Sequence, residues 1–445
     1  MPSPTIFLSP WLLLLSISCV FNYTSHSSAT TMNATSRHHF PLMKIMVGGY
    51  AGKITVLEYD PGNNTFRNLS STATATNETT TRTTTTTIGR NPSFMTRSPV
   101  DQACFFAANE VSDFRDMNAT GSVASFTINP HDNTLAPLST ALAAADPTAL
   151  AISPDGRNLL AAEYTGGSWS RYSVTHQCRF TSEKPTQALQ YHGSGPNKER
   201  QDHSYIHHAM YTPEGDLVLF VDLGGDSVYV HRVDVSTGHV GDLAHEIKFP
   251  PGTGPRHVSM ISRGDGQDIY VISELSNQIF TIRVTDGGYG GLTSTIRQQL
   301  STLPGNTTEA ERRTFGAGEV MVSGDGRFVY GSNRQTDFSK PITDNSIVVF
   351  VRDPHTGLLL DSGTDYSNSN SPAWFPLPVG GKTPRQFSFS LDPYQSFLVV
   401  GCQQADTLLI FRRIPFDGSL RFLASTTVQA PSIQLFIPNH DQSYD

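Results

Sequence analysis

The chain has 445 residues, a formal charge of −8 and only 16% charged side chains, with 36 glycines and 28 prolines. This balance argues against a nucleic-acid or anionic-membrane surface, and no basic run offsets it. The glycine and proline content suits many turns, and a closed repeat array tolerates this length as one domain.

Residues 6–21, IFLSPWLLLLSISCVF, form an apolar run about the length of a signal-peptide core and too short for a membrane span. Residues 1–21 therefore read as a signal peptide cleaved somewhere from Cys19 to Ala29, which implies a secreted protein; a signal anchor is the alternative. Residues 22–43 follow as a flexible segment. Asn33, Asn63, Asn68, Asn77, Asn118 and Asn306 each open an Asn-X-Ser/Thr triplet, as does Asn22 if it survives cleavage, so glycans are expected. From residue 70 to 87 nearly every residue is Thr, Ser or Ala; such a stretch cannot bury a core and reads as an inserted loop.

The run MKIMVGGYAGKITVLEYD from Met43 supplies two strands, and a repeated unit follows. An apolar run, a tight turn and a second apolar run recur in NPSFMTRS-PVDQ-ACFFAANE, PTALAIS-PDGR-NLLAAEY, HHAMYT-PEGD-LVLFVDL, GPRHVSMIS-RGDGQD-IYVISELSN, EVMVS-GDGR-FVYGSNR and TPRQFSFSLD-PYQS-FLVVGCQQ. Third runs such as SVYVHRV, QIFTIRV, SIVVFVRD and TLLIFRR come next. The spacing of roughly 50–70 residues suits four-stranded propeller blades with long loops. The predicted fold is all-β, a single propeller over residues 44–425, its ring closed by the N-terminal strands so that no sheet edge is left open, with 426–445 a C-terminal segment.

Outside the signal peptide the cysteines are Cys104, Cys178 and Cys402; Cys104 and Cys402 sit in apolar strands and read as small buried thiols, with one disulfide left open. No Cys-X-X-Cys, His-Glu-X-X-His, calcium loop, phosphate loop or Gly-X-Ser-X-Gly elbow occurs, so no metal or cofactor is expected.

In an antiparallel hairpin the residue before the first strand and the residue after the second end side by side. The repeats therefore project one ring at the axial mouth: Glu110; Glu163; His207 with Asp222; Arg256 with Glu274; Glu319 with Arg334; Arg385 with Gln403. Bland alternatives stand beside this. Asp222 and Asp226, flanking Leu-Gly-Gly, suit turn closure, and Arg256 with Glu274 suits a structural ion pair. Of the consecutive His207 and His208, strand alternation lets only one face the channel.

The segments RQDHSYIHHAMYTPEG…VDLGGD, GPRHVSMIS…YVISELSNQIF, VSGDGRFVYGSNR and GGKTPRQFSF…LVVGCQQAD resemble the propeller lactonase family, which includes bacterial-type 6-phosphogluconolactonase and fungal 3-carboxy-cis,cis-muconate cyclase. The resemblance covers roughly residues 44–425 and implies seven blades with an axial active site. It implies catalytic roles for His207, Arg256, Glu274 and Arg334, with Arg200 and Gln201 matching the Arg-Gln before the histidine; Asp222 and Arg385 join these two as substrate-binding candidates. Two positions depart from the pattern. The family's His-X-His is Tyr205-Ile206-His207 here, which removes one imidazole, and its late Pro-Arg-His ends in Gln386.

These residues suit lactone opening, or lactone formation from an open-chain acid, with guanidiniums holding carboxylates or an oxyanion and His207 or Glu274 moving the proton. The expected protein is a secreted lactonase or cycloisomerase whose partner is a small anionic lactone or dicarboxylate, without nucleic acid or membrane. Because phosphorylated sugars are kept in the cytosol, export argues against a strict phosphogluconolactonase. A non-catalytic extracellular binding scaffold is the competing expectation.

Overall fold

The computed structural model describes residues 40–74, 87–264, 266–288, 291–339, 345–361, 372–378 and 381–438. Among them are seven four-stranded antiparallel sheets, the blades of one propeller. The inner strands of blades two to seven are Pro92–Arg97, Pro147–Ile152, Ile206–Tyr211, Pro255–Arg263, Phe315–Val322 and Pro384–Phe389.

Blade one draws on both ends of the chain. Its inner strand is Pro431–Ile437, followed outward by Met43–Gly49, Lys53–Asp60 and Thr65–Ala73. The predicted closure by N-terminal strands is thus completed from the C-terminal segment, and the propeller runs past the predicted boundary at 425. PSIQLFI is too short an apolar run to announce a pairing whose partner begins at Lys44, almost four hundred residues away, and only closure of the ring supplies it. The signal-peptide region, residues 22–39 of the predicted flexible segment, most of the Thr-rich stretch and Asn22, Asn33 and Asn77 lie outside the described residues, whereas residues 40–43 of that segment are part of the fold, with Phe40 packed on Phe397 and Met43 opening a strand.

Why the strands read as near-continuous apolar runs is clear from the packing. Each blade is covered on both faces, so alternate residues serve different neighbours instead of core and solvent. In Cys104–Asn109, Phe105 and Ala107 pack toward blade one, whereas Cys104, Phe106 and Ala108 pack toward blade three. Seven such clusters fill the seven interfaces; between blades three and four, Trp169 stacks on Phe220 at 4.8 Å with the rings 5° apart. Burying each large apolar side chain stabilises by about 1.5–3 kcal/mol, so the closed ring holds itself against rotation of any one blade.

The cysteines correct a prediction. Cys104 is not a free thiol but is bridged to Cys178, with Cα atoms 5.8 Å apart, while Cys402 remains free and buried. Cys104 does sit in an apolar strand, yet its side of the strand faces the next blade, where the turn Thr175–Cys178 delivers its partner. The bridge staples blade two to blade three across 74 residues of sequence.

Candidate active site

The inner strands share a device that strand alternation does not anticipate. In every blade the pairing between the inner strand and its neighbour slips near the strand start, bulging Ser432, Ser93, Thr148, His207, Arg256, Gly318 with Glu319, and Arg385 out of register. A bulge re-aims side chains and is common beside active sites. In consequence His207 and His208, predicted to face opposite ways, both lie against His257, with ring centres 5.1 and 4.4 Å away.

Glu274, just beyond the strand Gly266–Ser273, is the hub. Its Oε1 accepts from Arg200 Nη2 at 2.8 Å, and its Oε2 from Arg256 Nε at 3.0 Å and Arg334 Nη2 at 2.9 Å. The sequence Gly316-Ala317-Gly318 makes room for this. Its three carbonyls accept from Arg334 Nε, Arg334 Nη2 and Arg256 Nη1, and a Cβ at Gly318 would sit 3.0 Å from Arg334 Cδ and Nε. Burial alone would push the Glu274 carboxyl up, but Arg334, Arg200 and Arg256 together hold it well below its usual range. Burial, with Arg334 alongside, draws Arg256 down to about 9, which still leaves it cationic at neutral pH.

A second cluster faces this one. Arg385 Nη2 lies 3.2 Å from Glu110 Oε2, which also accepts from Tyr50 OH at 2.5 Å, and the Arg385 guanidinium lies over the Tyr50 ring. The Tyr164 hydroxyl accepts from Arg200 Nη2 at 3.2 Å, and its ring stands edge-on to His207 at 5.4 Å. On the floor, both oxygens of Glu319 lie 3.0–3.1 Å from His257 Nδ1. Burial pushes the carboxyl of Glu319 up to about 7 and drives His207, His208 and His257 well below their usual value, so the three imidazoles are neutral.

Thus His207, Arg256, Glu274, Arg334, Arg200 and Arg385 share one site, as Glu110 and Glu319 do. Other candidates fall outside it. Asp222 is fully buried and its carboxylate is occupied by Tyr205 N–H, Gly225 N–H, Ser204 Oγ and Tyr229 OH at 2.7–3.2 Å, so it closes the Asp-Leu-Gly-Gly turn. Gln201 is turned away from its neighbour Arg200 and donates to Leu223 O and Asp226 Oδ1. Asp226 in turn accepts from Gly252 and Gly254 N–H, tying blade four to the entry of blade five. Glu163 accepts from Ala144 N–H and Ser168 Oγ, and Gln403 opens a short 3-10 turn. Glu163 and Asp222 share the strand-end position of the site groups, but neighbouring N–H and hydroxyl groups hold their carboxylates; spacing along a hairpin does not encode that choice.

Sequence reasoning passed over His257, Tyr50 and Tyr164. The sequence held no signal for His257, because the bulge at Arg256 that sets its direction arises from strand pairing; the Gly-Ala-Gly before Glu319 could have marked a close approach of other groups to this backbone. Among the described residues no three His, Cys, Asp or Glu side chains gather as metal ligands would.

A ring of seven four-stranded blades is the fold of the seven-bladed β-propeller lactonases. That family's model matches residues 65–436, and the chain belongs to it. The 6-phosphogluconolactonase of Formosa agariphila is 27% identical over 299 residues, 66% of this chain and 75% of that protein. That of Bacillus subtilis is 29% identical over 310 residues, 69% and 77% of the two chains. The solved periplasmic gluconolactonase of Pseudomonas aeruginosa superposes with a TM-score of 0.71 at 27% identity, covering 89% of this chain and 99% of that one. These names are those of lactone hydrolases.

Proposed function

We propose that the chain is an exported lactone hydrolase acting on a small lactone that carries an anionic group. The observation that carries this is the charge inventory of the site: four guanidiniums, of Arg200, Arg256, Arg334 and Arg385, outnumber the two carboxylates paired with them, of Glu274 and Glu110, and the third, Glu319, whose carboxyl is pushed up to about 7. The surplus of positive charge among these largely buried side chains suits an anionic substituent on the substrate and the oxyanion formed during attack.

His207 is the better base. Three arginines keep Glu274 ionised and weakly basic, so its work is to hold the guanidiniums in place; His207 is neutral, and although burial and Arg256 lower its basicity too, its imidazole is not committed to an ion pair. A water gives a proton to His207 as its oxygen adds to the lactone carbonyl; the carbonyl oxygen takes up the negative charge beside Arg256 and Arg334. Collapse breaks the ring C–O bond, and His207 returns the proton to the departing alkoxide, leaving a hydroxy acid.

Hydrolysis is preferred to lactone formation, and enzyme to binding scaffold, because the relatives are named as hydrolases. Export draws support from the bridge between Cys104 and Cys178, a bond that persists in oxidising compartments. The sequon residues Asn63, Asn68, Asn118 and Asn306 are all exposed, as glycan attachment requires.

The test is base uptake at constant pH by the purified protein on aldonolactones with and without phosphate or carboxylate groups. Anionic lactones should be opened fastest, and His207→Gln should lose on the order of 10²–10⁴-fold in kcat. Turnover equal in the variant and the wild type, or confined to neutral lactones, overturns the assignment.

A further inference from the structure

The four arginines of the site are not equally engaged, although each guanidinium carries the same set of N–H donors. Arg334 directs Nε and Nη2 to Gly316 O, Ala317 O and Glu274, Arg256 directs Nε and Nη1 to Glu274 and Gly318 O, and Arg200 Nη2 serves both Glu274 and Tyr164 OH. Arg385 has a single hydrogen-bonding partner among the described residues, Glu110, and holds it loosely. Its Nη2 stands 3.2 Å from Oε2 and 3.5 Å from Oε1, whereas charge-assisted bonds of this kind run to about 2.7–2.9 Å. The short bond to Glu110 comes from Tyr50 OH, at 2.5 Å. Arg385 is also within reach of a ligand: 19% of its side chain is exposed, against 2% for Arg256 and 7% for Arg334. Arg200 is more exposed, but it is tied to Glu274 at 2.8 Å.

The rest of this corner is a bracket for that guanidinium. Arg385 is the bulged residue of the inner strand of blade seven, Tyr50 follows Met43–Gly49 of blade one and Glu110 follows Cys104–Asn109 of blade two, so three successive blades meet in it. Tyr50 N–H donates to Ala430 O at 3.2 Å, Glu110 N–H donates to Asn91 O at 3.0 Å, and Asn91 Nδ2 donates to Glu110 O at 3.0 Å, which pins the main chain of both partners. The Tyr50 ring backs the guanidinium, with Cζ 5.2 Å from the ring centre. The charge of Arg385 is felt at His207, Arg256 and Arg334, which places it with the reacting groups.

We propose that Arg385 is the specificity residue of this site, binding a carboxylate carried by the lactone, and that Glu110 and Tyr50 position it. This rests on the lactone-hydrolase reading and names its substrate class. Arg256 and Arg334, fixed to Glu274 and to backbone carbonyls, are left to meet the oxyanion, whereas Arg385 can offer a planar carboxylate two parallel N–H bonds. Glu110 sets the charge that is accepted. Its carboxylate balances Arg385, so a singly charged group meets little repulsion, while a phosphate monoester, with about two negative charges at neutral pH, is pressed against a like charge.

The experiment compares kcat/KM on three lactones of one ring size, uncharged, carboxylated and phosphorylated, at about pH 7.5, where the phosphate is a dianion. The wild type should prefer the carboxylated lactone. Arg385→Gln should shrink the preference for the carboxylated over the uncharged ring on the order of 10–100-fold, chiefly through KM, because the bond exists before attack as well as during it. Arg385→Lys, which keeps the charge without the fork, should fall between the two. Glu110→Gln should raise the ratio of phosphorylated to carboxylated turnover about tenfold, whereas loss of a merely structural residue would lower both alike. A wild type that prefers the phosphorylated lactone, an Arg385→Gln loss equal on charged and uncharged rings, or a ratio indifferent to Glu110→Gln overturns the proposal. Should Arg385→Gln not fold, the lysine and Glu110→Gln variants carry the same comparison. If the wild type opens no lactone, the hydrolase reading fails, and calorimetry with glucarate, an open-chain hydroxy diacid, decides the role of Arg385 separately. Glucarate should then bind the wild type about tenfold or more tighter than Arg385→Gln, and equal affinities overturn the assignment.

Discussion

Replacing Glu274 by glutamine removes the one negative charge on which three arginines converge. Arg256 and Arg334 are 2% and 5% exposed, so their guanidiniums cannot turn to water for compensation. The amide offers a single oxygen and points two donors at a cluster of donors. Breaking a buried ion pair from one side costs about 3–5 kcal/mol. Arg200, with 39% of its side chain exposed, adds little to this. At roughly 2.1 cal/mol/K of unfolding entropy per residue, a domain of this size should lose about 4–6 °C in Tm. Differential scanning calorimetry in low-salt buffer reads that loss directly. A small dicarboxylate or sulfate that settles among the exposed charges of the variant should restore part of it, about 2.7 kcal/mol at a hundredfold excess over Kd. A variant that melts within about 1 °C of wild type and ignores anions would refute the claim that Glu274 is the electrostatic hub.

Three further outcomes are expected. The Glu319 carboxyl is raised from 4.5 to about 7 in the fold, so the folded state binds its proton more tightly; its own contribution to stability, read as the difference between wild type and Glu319→Gln, should decline by about 3 kcal/mol as pH rises from 4.5 to 7 and level off above, against the opposite contribution of the three buried histidines. Glu319→Gln should lack that decline in chemical denaturation between pH 5 and 8, and an unchanged pH slope would contradict it. Replacing Cys104 and Cys178 by serine should cost about 4 kcal/mol for a loop of 74 residues and make Tm insensitive to reductant, while the wild type melts lower when reduced. Asp222→Asn should destabilise by about 1–3 kcal/mol in urea titration, because Asp222 oxygens satisfy two backbone N–H groups and two hydroxyls, yet lower kcat by less than about threefold.

The sequence by itself determined the propeller and part of the residue cluster at the inner-strand ends. Tight turns between paired apolar runs can be read locally, since hairpins form from neighbouring residues, and the strand-end rule brought His207, Arg256, Glu274, Arg334 and Arg385 to one mouth. What only the tertiary structure decided is direction. The bulge in each inner strand depends on the pairing of two strands, so His207 and His208 turn to the same side against the alternation their spacing predicts. Asp222 and Glu163 occupy strand ends as Glu274 does, but neighbouring N–H and hydroxyl groups claim them for the scaffold. Ring closure by Pro431–Ile437 and the bridge from Cys104 to Cys178 belong with these. Each joins residues far apart in the chain, and the energy that selects them comes from surfaces that meet only when the seven blades have closed.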